Sequence, residues 1–109
     1  MQVHRITGRH YFVSDTGAAI WLDFSSNIDE IQKRVIRAGS YLGIDVVPKL
    51  HPHKEGIAVS IEFAPDLLYT ACEILEWAVT QEESLESVEA VYSQEKNEQW
   101  RDLHFWAQS

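Results

Sequence analysis

The feature that most constrains this chain is the stretch 44–63, IDVVPKLHPHKEGIAVSIEF, whose two halves are spaced like strands and whose middle has the composition of a turn. In the second half Ile57, Val59, Ile61 and Phe63 alternate with Ala58, Ser60 and Glu62. An apolar period of two marks a strand buried on one side only. In the first half Ile44, Val46 and Leu50 share a face, and Pro48, which has no N–H to give a ladder, predicts an edge strand. His51-Pro52-His53-Lys54-Glu55-Gly56 joins the halves, with proline to fix φ and glycine to permit a positive one.

The segments on either side supply what must cover that hairpin. From Asn27, Ile28, Ile31, Val35, Ala38, Gly39 and Leu42 fall on or beside one helical stripe. Asn27 with Glu30, or Ser26 with Asp29, has the spacing of a capping box, and Gly43 suits the residue just past the helix end. Pro65 and Asp66 open a second helix that reaches about Gln81. Its apolar residues, Leu67, Leu68, Ala71, Cys72, Ile74, Leu75, Ala78 and Val79, with Trp77 on the outer flank, exceed a single core stripe. Such a helix is covered on two sides, so a layer beyond the sheet is expected on it.

Before these helices, 9–13 and 18–24 are strand-like around the turn Ser14-Asp15-Thr16-Gly17. After them, 88–93 reads as a short strand with Val88, Ala90 and Tyr92 on one face, followed by a terminal helix over 94–107. Residues 18–93 therefore read β-α-β-β-α-β. That order predicts a single α+β domain over 1–109 with a ferredoxin-like (split β-α-β) antiparallel sheet. Two helices lie on one face, with an extra N-terminal strand and a C-terminal helix. The other face would carry Trp21, Asp23, Val47, Lys49, Ser60, Glu62, Glu89 and Val91, enough apolar area to call for a cover: the C-terminal helix, a second copy in a homodimer, or a partner.

Charge narrows the partners. Residues 1–54 hold seven Lys and Arg against five Asp and Glu, a balance of +2, whereas residues 55–109 hold two against twelve, a balance of −10. Nucleic-acid binding needs Lys and Arg to displace phosphate counterions, so a nucleic-acid partner is not expected and a basic protein is. No apolar run approaches the ~20 residues that span a bilayer, and the first residues lack a secretory apolar core. The single cysteine, Cys72, leaves no internal disulfide. These features predict a cytoplasmic protein without a cofactor.

Two motifs bear on chemistry. Asp15-Thr16-Gly17 is the tripeptide of aspartic proteases, in which paired carboxylates share a proton, but it is also ordinary turn composition between two strands, and the turn is the reading adopted. His51 and His53 bracket a proline and form a candidate metal pair that Glu55 or His104 would have to complete. The element order is similar in outline to that of pterin carbinolamine dehydratases, a family with a His-His-Pro run at the end of the helix before the hairpin. Here that place reads Gly43-Ile44-Asp45, and His51-Pro52-His53 comes a strand later, so the resemblance implies an outline of the fold and carries no activity with it.

The reading is an acidic protein-interaction module of the inhibitor or immunity type. Aromatic anchors Trp21, Trp77, Trp100 and Trp106, with the carboxylates Glu82, Glu83, Glu86 and Glu89, are its expected partner-binding residues. The alternative is a small-ligand or metal-dependent enzyme working in a crevice beside the sheet.

Overall fold

The structure, a computed structural model, describes residues 2–6, 9–14, 16–63, 67–81 and 84–97, with side chains from residue 16 to residue 94 within those ranges. The elements run β1 Gln2–Ile6, β2 Arg9–Ser14, β3 Gly17–Leu22, α1 Ile28–Leu42, β4 Lys49–Pro52, β5 Ile57–Glu62, α2 Leu68–Thr80 and α3 Leu85–Asn97. The five strands form one sheet in the order β1-β2-β3-β5-β4, every pair antiparallel. β3 and β4 run parallel to each other with β5 between them and α1 as the crossover, which is the split β-α-β unit of a ferredoxin-like α+β fold.

The alternation read from 57–63 sets the two faces of this sheet. Ala18, Ile20, Leu22, Val59 and Ile61 are buried on one, in a common core with Ile31, Val35, Ile74 and Leu75 from the helices. α1 forms where the stripe predicts. The Asn27 side chain caps it by accepting from the Glu30 N–H at 3.3 Å. At the far end Gly43 adopts a left-handed φ of 71°, and the N–H groups of Gly43 and Ile44 return to the carbonyls of Ser40 and Gly39, a Schellman closure. The chain then doubles back across the helix: a Cβ on Gly39 would lie 2.7 Å from Val46 Cγ2, so only glycine lets the crossover pass this close. That packing holds Val46 in the core, and the β4 ladder starts at Lys49 rather than at Ile44. β4 is an edge strand, as Pro48 foretold.

α2 packs on β3, α1 and α3, so its surplus of apolar residues has the second cover that its composition called for. One polar clip fixes α1 against it: Arg34 Nη1 donates to the Ala78 carbonyl at 3.1 Å. Ala78 lies in the last turn of α2, where carbonyls lack helical partners and the helix dipole favours a cation, and α2 has no basic residue of its own there. Arg34 Nε lies 3.6 Å from Glu30 Oε1, within ion-pair reach, yet is buried without a hydrogen bond among the described residues.

Two expectations are corrected. Residues 88–93 belong to helix α3, not to a strand. Leu85, Val88 and Tyr92 are spaced for a helix as well as Val88, Ala90 and Tyr92 are for a strand, and Ser84 starts the helix by accepting from the Ser87 N–H. The free edge of β3, where a ferredoxin-like sheet places its last strand, is filled by β2 instead. Trp77, expected on an outer flank, is buried at 6% exposure, because α2 is enclosed by β3, α1 and α3.

Candidate functional site

The sheet face turned away from α1 and α2 carries the most developed site. Its floor follows from register: Trp21 pairs with Ala58 and Ala58 with His51, Ala19 pairs with Ser60 and Ser60 with Lys49, and Gly17 pairs with Glu62. Partners in register point to the same face. The outcome is a row of small residues, Gly17, Ala19, Ala58 and Ser60, between bulkier ones, and a groove of about 440 Å³ opens over it. Trp21, His51, Pro52 and His53 line its sides.

Each wall is held. The Trp21 indole meets the His53 ring edge-on, with centroids 5.3 Å apart and an interplanar angle of 75°. Gly56 lies beneath the indole: a Cβ there would come within 2.8 Å of Trp21 Cζ2 and would collide with the Leu22 carbonyl. The turn is closed by the His53 N–H donating to the Gly56 carbonyl at 2.9 Å, and His53 Nδ1 accepts from the Glu55 N–H at 3.4 Å. Across the floor, His51 Nε2 and Ser60 Oγ share a hydrogen bond of 2.7 Å. At the far end Lys49 Nζ binds Glu62 Oε1 at 3.3 Å; both side chains are well exposed, so the pair adds little to stability.

The chemistry open to this groove is limited by what surrounds the polar pair. A serine nucleophile needs a base oriented by a third group and donors aimed at a developing oxyanion. His51 Nε2 is the ring atom that meets Ser60, and no hydrogen bond to its Nδ1 occurs among the described residues. β5 lies between β3 and β4, so its backbone N–H groups are drawn into ladders on both sides. The histidines are also engaged separately, His51 with Ser60 and His53 with Trp21 and Glu55, and among the described residues no three His, Cys, Asp or Glu side chains gather where a metal ion would sit. His104 lies outside the described residues.

The Asp-Thr-Gly motif is structural where it is described. The Thr16 carbonyl accepts from the Phe63 N–H at 2.8 Å, extending the β3–β5 ladder, and Gly17 is pressed so closely on the Ile61 carbonyl that no Cβ fits. Asp15 lies outside the described residues. Cys72 is a buried core thiol.

Two carboxylates of the acidic half are placed on the helix side. Glu86 and Glu89 stand exposed on α3, and neither pairs with a cation among the described residues. Glu89 Oε2 accepts from the Tyr41 hydroxyl at 2.8 Å, which joins α3 to the end of α1. That hydrogen bond, helped by desolvation and by the charges of Glu89 and Glu86, raises the Tyr41 phenol above its usual value. Asp23, in the turn between β3 and α1, is held below the ordinary carboxylate range by donation from the Ser25 hydroxyl and N–H and from the Ser26 hydroxyl. Glu82, Glu83, Trp100 and Trp106 lie outside the described residues.

Of the expected partner-binding residues, the structure therefore places Trp21 in the outer groove and Glu86 with Glu89 on α3, on opposite sides of the sheet. Sequence reasoning put Ser60 on this face with Trp21, Lys49 and Glu62 but did not single out the floor residues Ala19 and Ala58 beside it. Their signal was present as small residues at alternate positions of two strands, and only the register shows that they line up. No family model, no curated protein and no solved structure matches the chain.

Proposed function

We propose that this protein is a non-catalytic, acidic interaction module that binds a basic protein, in the manner of an intracellular inhibitor or immunity protein. The observation that carries the reading is the pair of exposed α3 carboxylates, Glu86 and Glu89, which no described cation neutralises, within a half-chain of charge −10. Concentrated negative potential speeds encounter with a cationic surface, while the time spent bound depends on desolvated contacts around it. A cytoplasmic location belongs to this reading. The chain has a single cysteine and so forms no internal disulfide, and among the described residues no helix is long and apolar enough to cross a membrane.

The test is association kinetics of the full chain with the basic protein it retains from the cells that make it. Between about 50 and about 300 mM salt the association rate is expected to fall tenfold or more, roughly in line with screening of exposed charges. Glu86→Lys together with Glu89→Lys should lower it by about the same factor at low salt. Retention of no basic protein, or an association rate indifferent to both salt and charge reversal, refutes the reading.

A further inference from the structure

We propose that the groove on the outer sheet face is a binding site for a small, uncharged, planar aromatic molecule with one hydrogen-bonding edge. Its ring would lie on the small-residue floor against Trp21, and its edge would meet the His51–Ser60 pair. This site is independent of the acidic α3 surface, which lies across the sheet.

Size comes first. A volume of about 440 Å³ is larger than a packing defect and lies within the range of roughly 300–1,000 Å³ usual for small-ligand sites. Shape decides planarity. Gly17, Ala19, Ala58 and Ser60 come from adjacent strands, so the floor is a flat strip two strands wide with no side chain larger than serine. Trp21, steadied by Gly56 below and by the edge of His53, supplies an aromatic wall already in place, so ligand binding does not have to order it.

Charge decides neutrality. Among the described lining residues Glu62 is the one carboxylate, and Lys49 already pairs with it. A cationic ligand would have to displace Lys49, and an anionic ligand would meet the field of a chain whose net charge is −8. The remaining polar requirement is set by His51 and Ser60. Whichever of the two donates in their 2.7 Å bond, the serine oxygen keeps a lone pair for an incoming hydroxyl or ring N–H.

The full chain titrated with 2-naphthol, naphthalene and 2-naphthoate, by calorimetry and by amide shifts in a nitrogen-15 spectrum, tests this directly. The expected result is one-to-one binding of 2-naphthol with a dissociation constant on the order of 100 μM. The shifts should centre on Ala19, Ala58 and Ser60. Naphthalene, lacking the edge, should bind about 3- to 10-fold more weakly, as should the 2-naphthoate anion. Ala58→Leu, which fills the floor from a partly exposed position, should abolish binding with the melting temperature unchanged. Ser60→Ala should bring 2-naphthol to the affinity of naphthalene. The proposal is overturned if 2-naphthol does not bind, if it shifts residues elsewhere, if Ala58→Leu binds as well as the wild type, or if light scattering shows a dimer that Ala58→Leu dissociates.

Discussion

The two faces of strands β3 and β5 are made by neighbouring residues and have opposite fates. On one, Ile20, Val59 and Ile61 are sealed beneath the helices; on the other, one residue along each strand, the half-buried Ala58 and Ser60 floor a groove with Ala19, which is itself buried. The difference shows that core and site here are separated by the pleat alone. A register slip of one residue would exchange them, putting Ser60 in the core and Ile61 in the groove. Register is held by the β4–β5 turn, closed by the His53–Gly56 hydrogen bond, and by Gly17 and Gly56, where no Cβ fits.

The largest expected effect comes from treating the two faces alike. Ile61→Ala should cost about 2–5 kcal/mol of unfolding free energy through lost burial and a residual cavity. Ser60→Ala, one residue away on the open face, should stay within about 0.5–1.5 kcal/mol, the worth of one exchangeable hydrogen bond. Urea denaturation of both variants measures the contrast, and equal losses would mean that the open face is not open.

Gly56→Ala sharpens the comparison, because it belongs to the groove side yet should behave like a core variant. The added methyl meets the Leu22 carbonyl and the Trp21 ring, so the hairpin must shift, at about 1–3 kcal/mol of stability by the same denaturation assay. Near-UV circular dichroism should record the displaced indole, and a variant with unchanged stability and spectrum would remove Gly56 from the account of the wall. On the helix side, Asn27→Ala deletes the cap of α1 and should cost about 0.5–2 kcal/mol. A loss of that size belongs to the helix terminus alone, so 2-naphthol affinity should not change.

The smallest effect is a pH dependence. The Tyr41 phenol lies above its usual value of 10.0 because its neutral form donates to Glu89, so the link between α1 and α3 is complete below about pH 10 and is lost as pH rises through the raised value. Tyr41→Phe should abolish that part of the alkaline loss of stability while leaving the groove untouched. An alkaline stability profile identical in Tyr41→Phe and wild type would show that the bond does not persist in solution.

Much of the helix-covered face was legible in the sequence, and for physical reasons. Period-two alternation in β5, the Asn27 and Gly43 boundaries of α1, and the edge position announced by Pro48 are local rules that tertiary packing had no cause to override. The excess apolar surface of α2 correctly called for a second cover. The identity of that cover was not legible, since residues 88–93 satisfy both a strand and a helix period and only the occupancy of the β3 edge by β2 decides between them. β1 went unread because QVHRI carries too little apolar alternation to announce a strand. Trp77 was placed on the outer flank of its helix because it lies outside a single core stripe, a rule blind to a third helix that buries it. The groove was half legible: its residues stood in the right alternate positions, but a floor spanning two strands exists only once they are aligned.

The placement of β2 beside β3 has a consequence for synthesis on the ribosome. Every described strand of the sheet lies at or before Glu62, so all five leave the ribosome before α2 and α3 do. At translation rates of roughly 5–20 residues per second, Ile20, Val59 and Ile61 then wait a few seconds for α2 and α3 to follow. That interval, when a finished sheet has only α1 over its greasy side, is when the nascent chain most needs a chaperone.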